Sequence, residues 1–307
     1  MANLNRLYYI RKLENFFLQK QFSGNRIILK TLNYLKPSPN NGMIVKTLHG
    51  FNLFIDPIFD KGIERRIYNY GTYEAGTLWC FDFFIKPGDV VIDAGANIGL
   101  TSIYASKLTG SKGVIYGFEP LNSTFEILCK NISINRIKNI VPSQIALSNY
   151  NGKGKIYPNI HINRGAASFN SNQVEQIPIE VEVKTLNSWV KENNIFKIDF
   201  IKIDVEGSEL ELLKGASELF QHNPKPTICV EYSEEVSRDN NINDLYNFLK
   251  IELGYMLFKS KLGKESVSKL IEINTKNDLP QHDNIYCIDP KKLKSLPNIL
   301  FEITKKL

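Results

Sequence analysis

Residues 90–99 read VVIDAGANIG, a pattern typical of a buried strand that runs into a glycine turn and then a helix. The β-branched run at 90–92 fits a parallel strand that is covered on both faces. Gly95 and Gly99 lack a Cβ, so the backbone between them can approach a ligand closely. Residues 100–107 predict a helix whose first N–H groups face this turn. The stretch therefore predicts an α/β fold with a ligand site at the end of this strand.

The residue types around the turn indicate which ligand it holds. A dinucleotide-binding turn has the form G-x-G-x-x-G with its middle glycine beside the pyrophosphate, but Asn97 stands in that place here. Asp93 ends the strand, and its carboxylate would repel a pyrophosphate but attract an ammonium group. The next strand ends at Glu119-Pro120, where a carboxylate can accept hydrogen bonds from both ribose hydroxyls. These features favour S-adenosylmethionine, which carries an ammonium and a sulfonium group and no phosphate, over a nicotinamide dinucleotide.

The same residues resemble the FkbM family of S-adenosylmethionine-dependent methyltransferases, over about residues 62–235. The likeness rests on PGD (87–89), IDAGANIGL (92–100), GFEP (117–120), Asn131, Asn135, ALS (146–148), Thr185-Leu186, FIKIDVEGSELELLKGA (200–216) and a late strand that ends in Glu231. It implies a class I methyltransferase fold and, for most members, methyl transfer to hydroxyl oxygens of small molecules and sugars. The first 50 residues and the chain after about residue 260 lie outside the likeness.

The rest of the pattern predicts an α/β fold with a Rossmann-like, doubly wound and mostly parallel sheet. Core strands are expected at 90–93, 114–119, 139–144, 179–184, 199–204 and 227–231, followed by strands near 255–259 and 285–289. We expect three regions: an N-terminal helical and hairpin extension at 1–60, a methyltransferase domain at 61–290 and a basic C-terminal tail at 291–307. Right-handed crossovers bring the carboxyl ends of the parallel strands to one edge, which is the predicted ligand edge.

The predicted cofactor site is assembled from the ends of four strands at that edge. The glycine turn and the Glu119-Pro120 pair hold the methionine part and the ribose, and the residues after the third strand meet the adenine, with Gln144 able to reach its polar edge. The predicted cofactor-binding residues are Asp93, Gly95, Ala96, Asn97, Gly99, Glu119, Pro120, Gln144, Ile145, Ala146 and Asp204.

The segment IKIDVEG at 201–207 contains the best catalytic candidates. Strand alternation puts Lys202 and Asp204 on one face, and Glu231 ends the neighbouring strand. Methyl transfer needs an aligned acceptor and a general base for the hydroxyl proton, so Asp204, Glu206 and Glu231 are predicted to be catalytic, with the base left open among them. Three carboxylates at one point are unfavourable unless they meet cations or share a proton. A divalent metal is an alternative source of hydroxyl activation, but no Cys/His cluster supports one.

Four further residues are candidates for binding the acceptor. The resemblance includes Tyr73 and Glu74, which are expected to line the cleft from a helical region before the first core strand. His161 and Arg164 lie in an insertion at 149–178 on the ligand edge, where insertions commonly select the substrate. The expected acceptor is a small hydroxylated molecule, with one linked to a glycan favoured.

Two other acceptor or function classes stay open as alternatives. An RNA ribose or a protein could be methylated by the same fold, but RNA should require a concentrated basic track or aromatic platforms. The net charge of +6 is instead spread along the chain, so no nucleic-acid partner is expected. A non-catalytic binding module should have lost its cofactor residues, yet Asp93, Gly95, Asn97, Gly99 and Glu119 are all present.

The N-terminal segment at 4–35 is predicted to be helical, with apolar residues at Leu4, Leu7, Leu13 and Phe16 and basic residues between them. We favour a helix that packs on the domain or on a second subunit over a helix that lies on a membrane surface. Packing on a second subunit would make a homodimer. No uninterrupted apolar run reaches the roughly 18 residues that a membrane span needs, so no membrane span is expected. The four cysteines are far apart in sequence and no signal peptide is recognised, which together predict reduced thiols and a cytoplasmic location.

Overall fold

The computed structural model describes residues 2–18, 24–157, 177–221, 224–234 and 242–302. Its helices are α1 (Ala2–Leu18), α2 (Asn25–Tyr34), α3 (Ile63–Tyr70), α4 (Ala75–Phe84), α5 (Leu100–Thr109), α6 (Asn122–Ile134), α7 (Leu186–Glu192), α8 (Glu209–Lys214), α9 (Ile242–Tyr246), which continues into a π-helical turn at Asn247–Glu252, and α10 (Pro290–Leu293). Its strands are β1 (Met43–Lys46), β2 (Asn52–Ile55), β3 (Val90–Ala94), β4 (Val114–Phe118), β5 (Ile140–Ser143), β6 (Ala146–Leu147), β7 (Gly152–Ile156), β8 (Ile179–Lys184), β9 (Phe200–Ile203), β10 (Thr227–Ser233), β11 (Met256–Ser260), β12 (Leu270–Glu272) and β13 (His282–Ile288).

An eight-stranded sheet forms the centre of the fold, in the order β12-β11-β13-β10-β9-β3-β4-β5. The strands from β10 to β5 run parallel, whereas β13, β11 and β12 join through antiparallel pairs. The predicted α/β, Rossmann-like, doubly wound and mostly parallel architecture is confirmed. The strand order reverses between β3 and β9, so the ends of these two strands lie side by side at the topological switch point where such sheets bind ligands.

Both faces of the parallel strands are buried, as their β-branched composition predicts. Phe200 packs in the apolar cluster on one face, together with Val91 and Ile115. Its neighbour Ile201 packs on the opposite face with Ile92. Burial of each such side chain contributes about 1.5–3 kcal/mol to the free energy of unfolding. The sheet therefore holds the strand ends firmly at the predicted ligand edge.

The predicted core strand at 179–184 lies elsewhere, and its placement in the central sheet is wrong. The structure puts β8 in a separate three-stranded sheet, between β6 and β7. Val181 and Val183 are buried in this strand, whereas Glu180 and Glu182 are exposed. Such alternation is typical of a sheet with one solvated face, because a central parallel strand would be apolar on both faces.

The predicted N-terminal helical segment consists of α1 and α2, and residues 19–23 between them lie outside the described residues. The predicted hairpin is present, with Met43 opposite Ile55 and Lys46 opposite Asn52. Among the described residues, no helix combines the length and the apolar character needed to cross a membrane.

Two asparagines at the end of α6 attach this hairpin to the core. The Asn135 side chain accepts a hydrogen bond from the Asn52 N–H at 2.8 Å and donates one to the Asn52 carbonyl at 2.7 Å. Asn131 accepts from the Phe54 N–H and donates to the Ile98 carbonyl at 2.8 Å. Asn131 therefore connects the hairpin directly to the glycine turn that follows β3.

Candidate active site

The glycine turn after β3 is shaped by close packing on both sides. Gly95, Asn97 and Gly99 have φ values of +80°, +49° and +94°, a region that favours glycine and tolerates asparagine. A Cβ on Gly95 would overlap the backbone carbonyl oxygen of Asp204, and a Cβ on Gly99 would lie 2.7 Å from Leu128 Cδ1. Gly95 is therefore required first by backbone packing, a reason that differs from the ligand approach expected from sequence, whereas Gly99 is favoured mainly by its positive φ, because a leucine side chain can shift.

A cavity opens beside this turn, with about 380 Å³ of space when the open solvent at its mouth is included. It is lined by Ile63, Tyr73, Glu74, Gly95, Ala96, Asn97, Ile98, Leu100, Thr101, Lys202 and Asp204. The structure thus brings four predicted cofactor residues, three of the turn and Asp204, against two predicted acceptor residues, Tyr73 and Glu74. The two sets line the same cavity, as group transfer between two neighbouring bound molecules requires.

Asp93 is almost fully buried at the end of β3. Its Oδ2 accepts hydrogen bonds from the hydroxyls of Thr101, at 2.8 Å, and Ser102, which anchors the first turn of α5. Its Oδ1 is buried and has no hydrogen-bond partner among the described residues. An orphaned buried acceptor costs about 1–3 kcal/mol, so a ligand that donates a hydrogen bond here would be favoured. This fits the ammonium group of S-adenosylmethionine.

Glu119 lies at the end of β4, and its carboxylate accepts the backbone N–H of Asn97 on Oε2 and that of Leu121 on Oε1, both at 3.1 Å. Burial raises the pKa of Glu119 to about 7, against the lowering effect of these two hydrogen bonds. Each oxygen keeps a further lone pair for a ribose hydroxyl. The predicted ribose contact is therefore compatible with the structure and stays a prediction.

Seven of the eleven predicted cofactor residues are not part of the cavity's lining: Asp93, Gly99, Glu119, Pro120, Gln144, Ile145 and Ala146. Pro120 follows Glu119, and Gln144 and Ile145 connect β5 to β6, whose first residue is Ala146. Ile145 and Ala146 are buried and Gln144 is exposed. Their adenine contacts remain predictions. His161 and Arg164 lie outside the described residues, so their predicted role at the acceptor stays a prediction as well.

Three carboxylates do converge at the ligand edge, but one of them is not the predicted residue. Glu74, Asp204 and Glu231 offer oxygen atoms that all lie within 4.8 Å of one another. The predicted third member is Glu206, but Glu206 is not one of the three converging carboxylates found among the described residues. Glu206 adopts a φ of +53° after β9 has ended, so strand alternation no longer sets its direction. Glu74 reaches the group from the start of α4, where its own φ is +49°.

Two buried lysines pair with this carboxylate cluster, defined as Glu74, Asp204 and Glu231. Lys202 Nζ lies 2.9 Å from Asp204 Oδ2. Lys264 Nζ contacts Glu231 and lies 3.2 Å from Glu74 Oε1. Buried carboxylates are stable when such cations pair with them. Side chains of the chain itself therefore supply two positive charges to these three carboxyl groups.

Lys264 was not predicted as a site residue. It lies in the loop between β11 and β12, beyond the region of family resemblance. His282 and Asn284 on β13 were also missed: His282 Nε2 is 3.6 Å from Glu231 Oε1, and Asn284 donates to Glu74 Oε2 at 3.1 Å. Only the antiparallel pairing of β13 with β10 brings these side chains to the cluster, and a single lysine or histidine gives no sequence signal of that kind.

The members of the cluster titrate in opposite directions. Burial alone would raise the pKa of Asp204, but the charges of Lys202 and Lys264 and a hydrogen bond with Glu231 lower it to about 2. Burial and the negative charge of Asp204 raise the pKa of Glu231 well above its usual range. Because the two groups interact strongly, Asp204 and Glu231 titrate as a pair in which Asp204 ionises first.

Glu206 and Glu209 form the second acidic layer at this edge. Burial raises the pKa of Glu206 to about 8, with the charges of Asp204 and Glu209 adding to the effect. The Glu209 carboxylate accepts the N–H groups of Val205, at 3.2 Å, and Gly207, at 3.0 Å. Glu209 thereby fixes the turn that carries Asp204 and Glu206, a role that was not predicted from the sequence.

A second, open depression adjoins the first cavity. Its lining consists of Gly62, Ile63, Arg66, Tyr73, Leu262, Gly263, Lys264, Glu265 and His282. Ile63 and Tyr73 belong to both linings, so the Tyr73 side chain lies at the border. Lys264 connects the depression to Glu74 and Glu231. A molecule in the depression and one in the cavity would therefore both lie next to the carboxylate cluster.

Comparison with known proteins places this site in a recognisable family. The family described as Methyltransferase FkbM domain matches residues 93–257. A methyltransferase, sdnD, of Sordaria araneosa is 29% identical over 169 residues, which cover 45% of this chain and 65% of the relative. Hexuronic acid methyltransferase AglP of Haloferax volcanii is 29% identical over 140 residues, covering 44% of this chain and 53% of the relative.

A third relative, the 31-O-demethyl-FK506 methyltransferase FkbM of Streptomyces tacrolimicus, is 30% identical over 162 residues, covering 44% of this chain and 62% of the relative. The chain thus spans between about half and two thirds of the length of these relatives. The resemblance expected from the sequence motifs is confirmed. The matched segment includes the glycine turn, Glu119, Asp204 and Glu231, whereas Lys264 and His282 lie beyond its end.

Proposed function

Because this chain belongs to the FkbM family of S-adenosylmethionine-dependent methyltransferases, we propose that it transfers a methyl group to a hydroxyl oxygen of a small acceptor, a sugar or a glycan precursor. The observation that carries the proposal is the Asp204 carboxylate, which lines the cofactor cavity and lies within 4.8 Å of the Glu231 carboxyl group. The names of two relatives, a hexuronic acid methyltransferase and a 31-O-demethyl-FK506 methyltransferase, support the acceptor class.

In this proposal the glycine turn and the strand ends hold the cofactor. The Oδ1 atom of Asp93 accepts a hydrogen bond from the ammonium group, and Glu119 accepts the ribose hydroxyls. The ionised Asp204 attracts positive charge into the cavity that it lines. S-adenosylmethionine supplies a methyl group that its sulfonium already activates, so the main task of these residues is alignment.

The Asp204–Glu231 pair is the proposed proton acceptor. As the new bond to carbon forms, the acceptor hydroxyl must lose its proton, and a carboxylate within hydrogen-bond reach can take it. A cation bound nearby lowers the pKa of adjacent carboxyl groups, which would leave this pair ionised in the loaded enzyme. His282, exposed in the depression and 3.6 Å from Glu231 Oε1, offers the proton a path to solvent.

The open depression is the proposed acceptor site. Tyr73 offers a ring face, and Arg66, Lys264 and His282 offer N–H donors to hydroxyl oxygens. Arg66 lies over the Tyr73 ring, with its guanidinium carbon 5.7 Å from the ring centroid, and pairs with Glu265 at 3.0 Å. Such a combination of an aromatic ring and charged hydrogen-bonding groups suits a polyhydroxylated acceptor better than an apolar one.

The test is transfer of a radiolabelled methyl group from S-adenosylmethionine into a fractionated cell extract. We expect the label in small-molecule or glycan-linked fractions, and no transfer with Glu231→Gln, which should still bind S-adenosylhomocysteine. The exposed Glu218 provides a matched control, since Glu218→Gln should transfer normally. Label that appears in RNA or protein would overturn the proposed acceptor class, and full activity of Glu231→Gln would overturn the proposed proton acceptor.

A further inference from the structure

Helix α1 has two apolar faces, of which only one is covered by the described part of the protein. Leu7 and Ile10 are buried against the domain, which agrees with the packing expected from sequence. Tyr9, Leu13 and Phe16 recur at a spacing of four and three residues, so they form one stripe on the other side of the helix. All three are exposed, Tyr9 by 63%.

Helix α2 packs against α1 and also exposes apolar side chains. Ile27 is 72% exposed and Tyr34, seven residues later on the same side, is 88% exposed. In the described structure none of the α2 side chains is buried, although the helix is amphipathic. The two helices are joined by a hydrogen bond from Asn25 Nδ2 to the Phe17 carbonyl at 2.8 Å. Tyr9, Leu13, Phe16, Ile27 and Tyr34 are called the N-terminal face below.

Basic residues border the N-terminal face. Arg6 and Lys12 on α1 and Arg26 and Lys30 on α2 are exposed. Glu14 is the single acidic residue in the sequence between positions 5 and 36, and it pairs with Lys36 at 2.8 Å. The surface around the apolar stripe is therefore strongly positive, whereas the whole chain carries only a mild excess of positive charge.

This charge pattern argues against a second copy as the occupant. A two-fold symmetric contact would place the same patch against itself, so the basic border of one copy, formed by Arg6, Lys12, Arg26 and Lys30, would face an equally basic surface on the other. Like charges across an interface are unfavourable, and the cores of protein interfaces are depleted of lysine. An anionic surface that accepts both cations and apolar rings has no such conflict.

We propose that the N-terminal face docks this protein on an anionic lipid membrane, with the rings and aliphatic side chains among the acyl chain ends and the basic residues at the headgroups. Helices that lie in the membrane interface have this composition, with aromatic and leucine side chains on one face and lysine or arginine at its border. The docking needs no membrane-spanning segment, and it is independent of the methyl-transfer chemistry proposed above.

The test is flotation of the full chain with vesicles of phosphatidylcholine alone or mixed equally with phosphatidylglycerol. We expect binding to the mixed vesicles that falls at least about tenfold at high salt, because salt screens the attraction to headgroups. Tyr9→Ser combined with Tyr34→Ser, and separately Lys12→Glu combined with Arg26→Glu, should each weaken binding by about tenfold or more. S-adenosylhomocysteine binding should stay unchanged in both variants, which shows that they fold.

Matched controls come from other exposed positions. Phe196 is 84% exposed, so Phe196→Ser should leave vesicle binding unchanged, as should Lys112→Glu combined with Lys138→Glu. Absence of binding to the mixed vesicles would overturn the proposal. So would equal binding to neutral vesicles, or a stable dimer in the absence of lipid that the Tyr9→Ser/Tyr34→Ser variant dissociates, because the latter would make a second copy the occupant.

Discussion

The backbone carbonyl oxygen of Asp204 occupies the space that a Cβ on Gly95 would need. The turn that lines the cofactor cavity and the strand end that carries a predicted catalytic carboxylate are therefore packed directly against each other. The Asp204 N–H also donates to the Ala94 carbonyl at 3.0 Å. The position of the bound cofactor and the position of the proposed proton acceptor are consequently set by one contact.

The contact between these two residues makes Gly95→Ala a sharp test. The substitution should lower the free energy of unfolding by at least about 3 kcal/mol, because left-handed backbone strain and overpacking add, and should abolish S-adenosylhomocysteine binding. Gly88 has a φ of +90°, and nothing lies within 4 Å of the position that an added methyl group would take. Gly88→Ala should therefore show the strain alone, about 1–2 kcal/mol, with normal binding. Thermal unfolding measures the stability of each variant, and calorimetric titration measures its binding of S-adenosylhomocysteine. Equal losses of stability and equal binding in Gly95→Ala and Gly88→Ala would contradict the packing argument.

Glu119 connects the cofactor turn to the end of β4, so its loss should affect binding more than stability. Glu119→Ala removes the acceptor for the Asn97 and Leu121 N–H groups and the predicted acceptor for the ribose hydroxyls. We expect S-adenosylhomocysteine to raise the melting temperature of the wild-type protein and to leave that of Glu119→Ala unchanged. Glu126→Ala, at an exposed position of α6, should respond like the wild type. A normal ligand-induced shift in Glu119→Ala would refute this role.

The raised pKa values at the site predict how stability depends on pH. Glu119 has a pKa of about 7 and Glu206 of about 8 in the folded protein, above the unfolded carboxyl value of about 4.3. Between the unfolded and folded pKa values, the folded protein therefore binds more protons than the unfolded chain. The free energy of unfolding should consequently fall as pH rises from about 5 to 8. Glu206→Gln should flatten the upper part of this slope in urea unfolding curves. A ligand-free protein that becomes more stable over this range would contradict the assignment.

Lys264 should be essential for keeping the carboxylate cluster free of metal. Lys264→Met leaves Glu74 and Glu231 without their shared cation, which should destabilise the fold by about 3–5 kcal/mol. The uncovered carboxylates should then bind Ca²⁺ or Mn²⁺, seen as a rise in melting temperature that the wild type lacks. Lys261, which pairs with Glu302 on the surface, is the control, since Lys261→Met should cost less than about 1 kcal/mol. If the metal ions raised the melting temperature equally in the wild type, Lys264→Met and Lys261→Met, Lys264 would not be what keeps metal out of the cluster.

The sequence predicts the parallel half of the fold and the cofactor turn because both depend on local patterns. The strand, turn and helix at 90–109 are consecutive in the chain. The β-branched run directly predicts the buried strand, and the glycines directly predict the turn. The predicted Tyr73 and Glu74 line the cavity. These elements are specified by residues within a few positions of one another, or by a motif of fixed spacing.

The parts that could not be predicted depend on contacts between distant segments. Lys264 reaches the cluster only because β11 and β13 pair at the antiparallel side of the sheet. Glu206 follows β9 in a left-handed backbone conformation, so the alternation that places Lys202 and Asp204 does not set the direction of its side chain. The misplacement of β8 is different, because the alternation of Val181 and Val183 with glutamates already indicated a sheet with one solvated face.

A crystal structure of the protein grown with S-adenosylhomocysteine tests the central claim most directly. The account predicts the ligand in the cavity beside residues 95–98, its amino group within hydrogen-bond distance of Asp93 Oδ1 and its ribose hydroxyls on Glu119. The thioether sulfur should face the Asp204–Glu231 pair. A ligand bound elsewhere, or a cavity that stays empty at saturating concentration, would contradict the assignment of this edge as the site of methyl transfer.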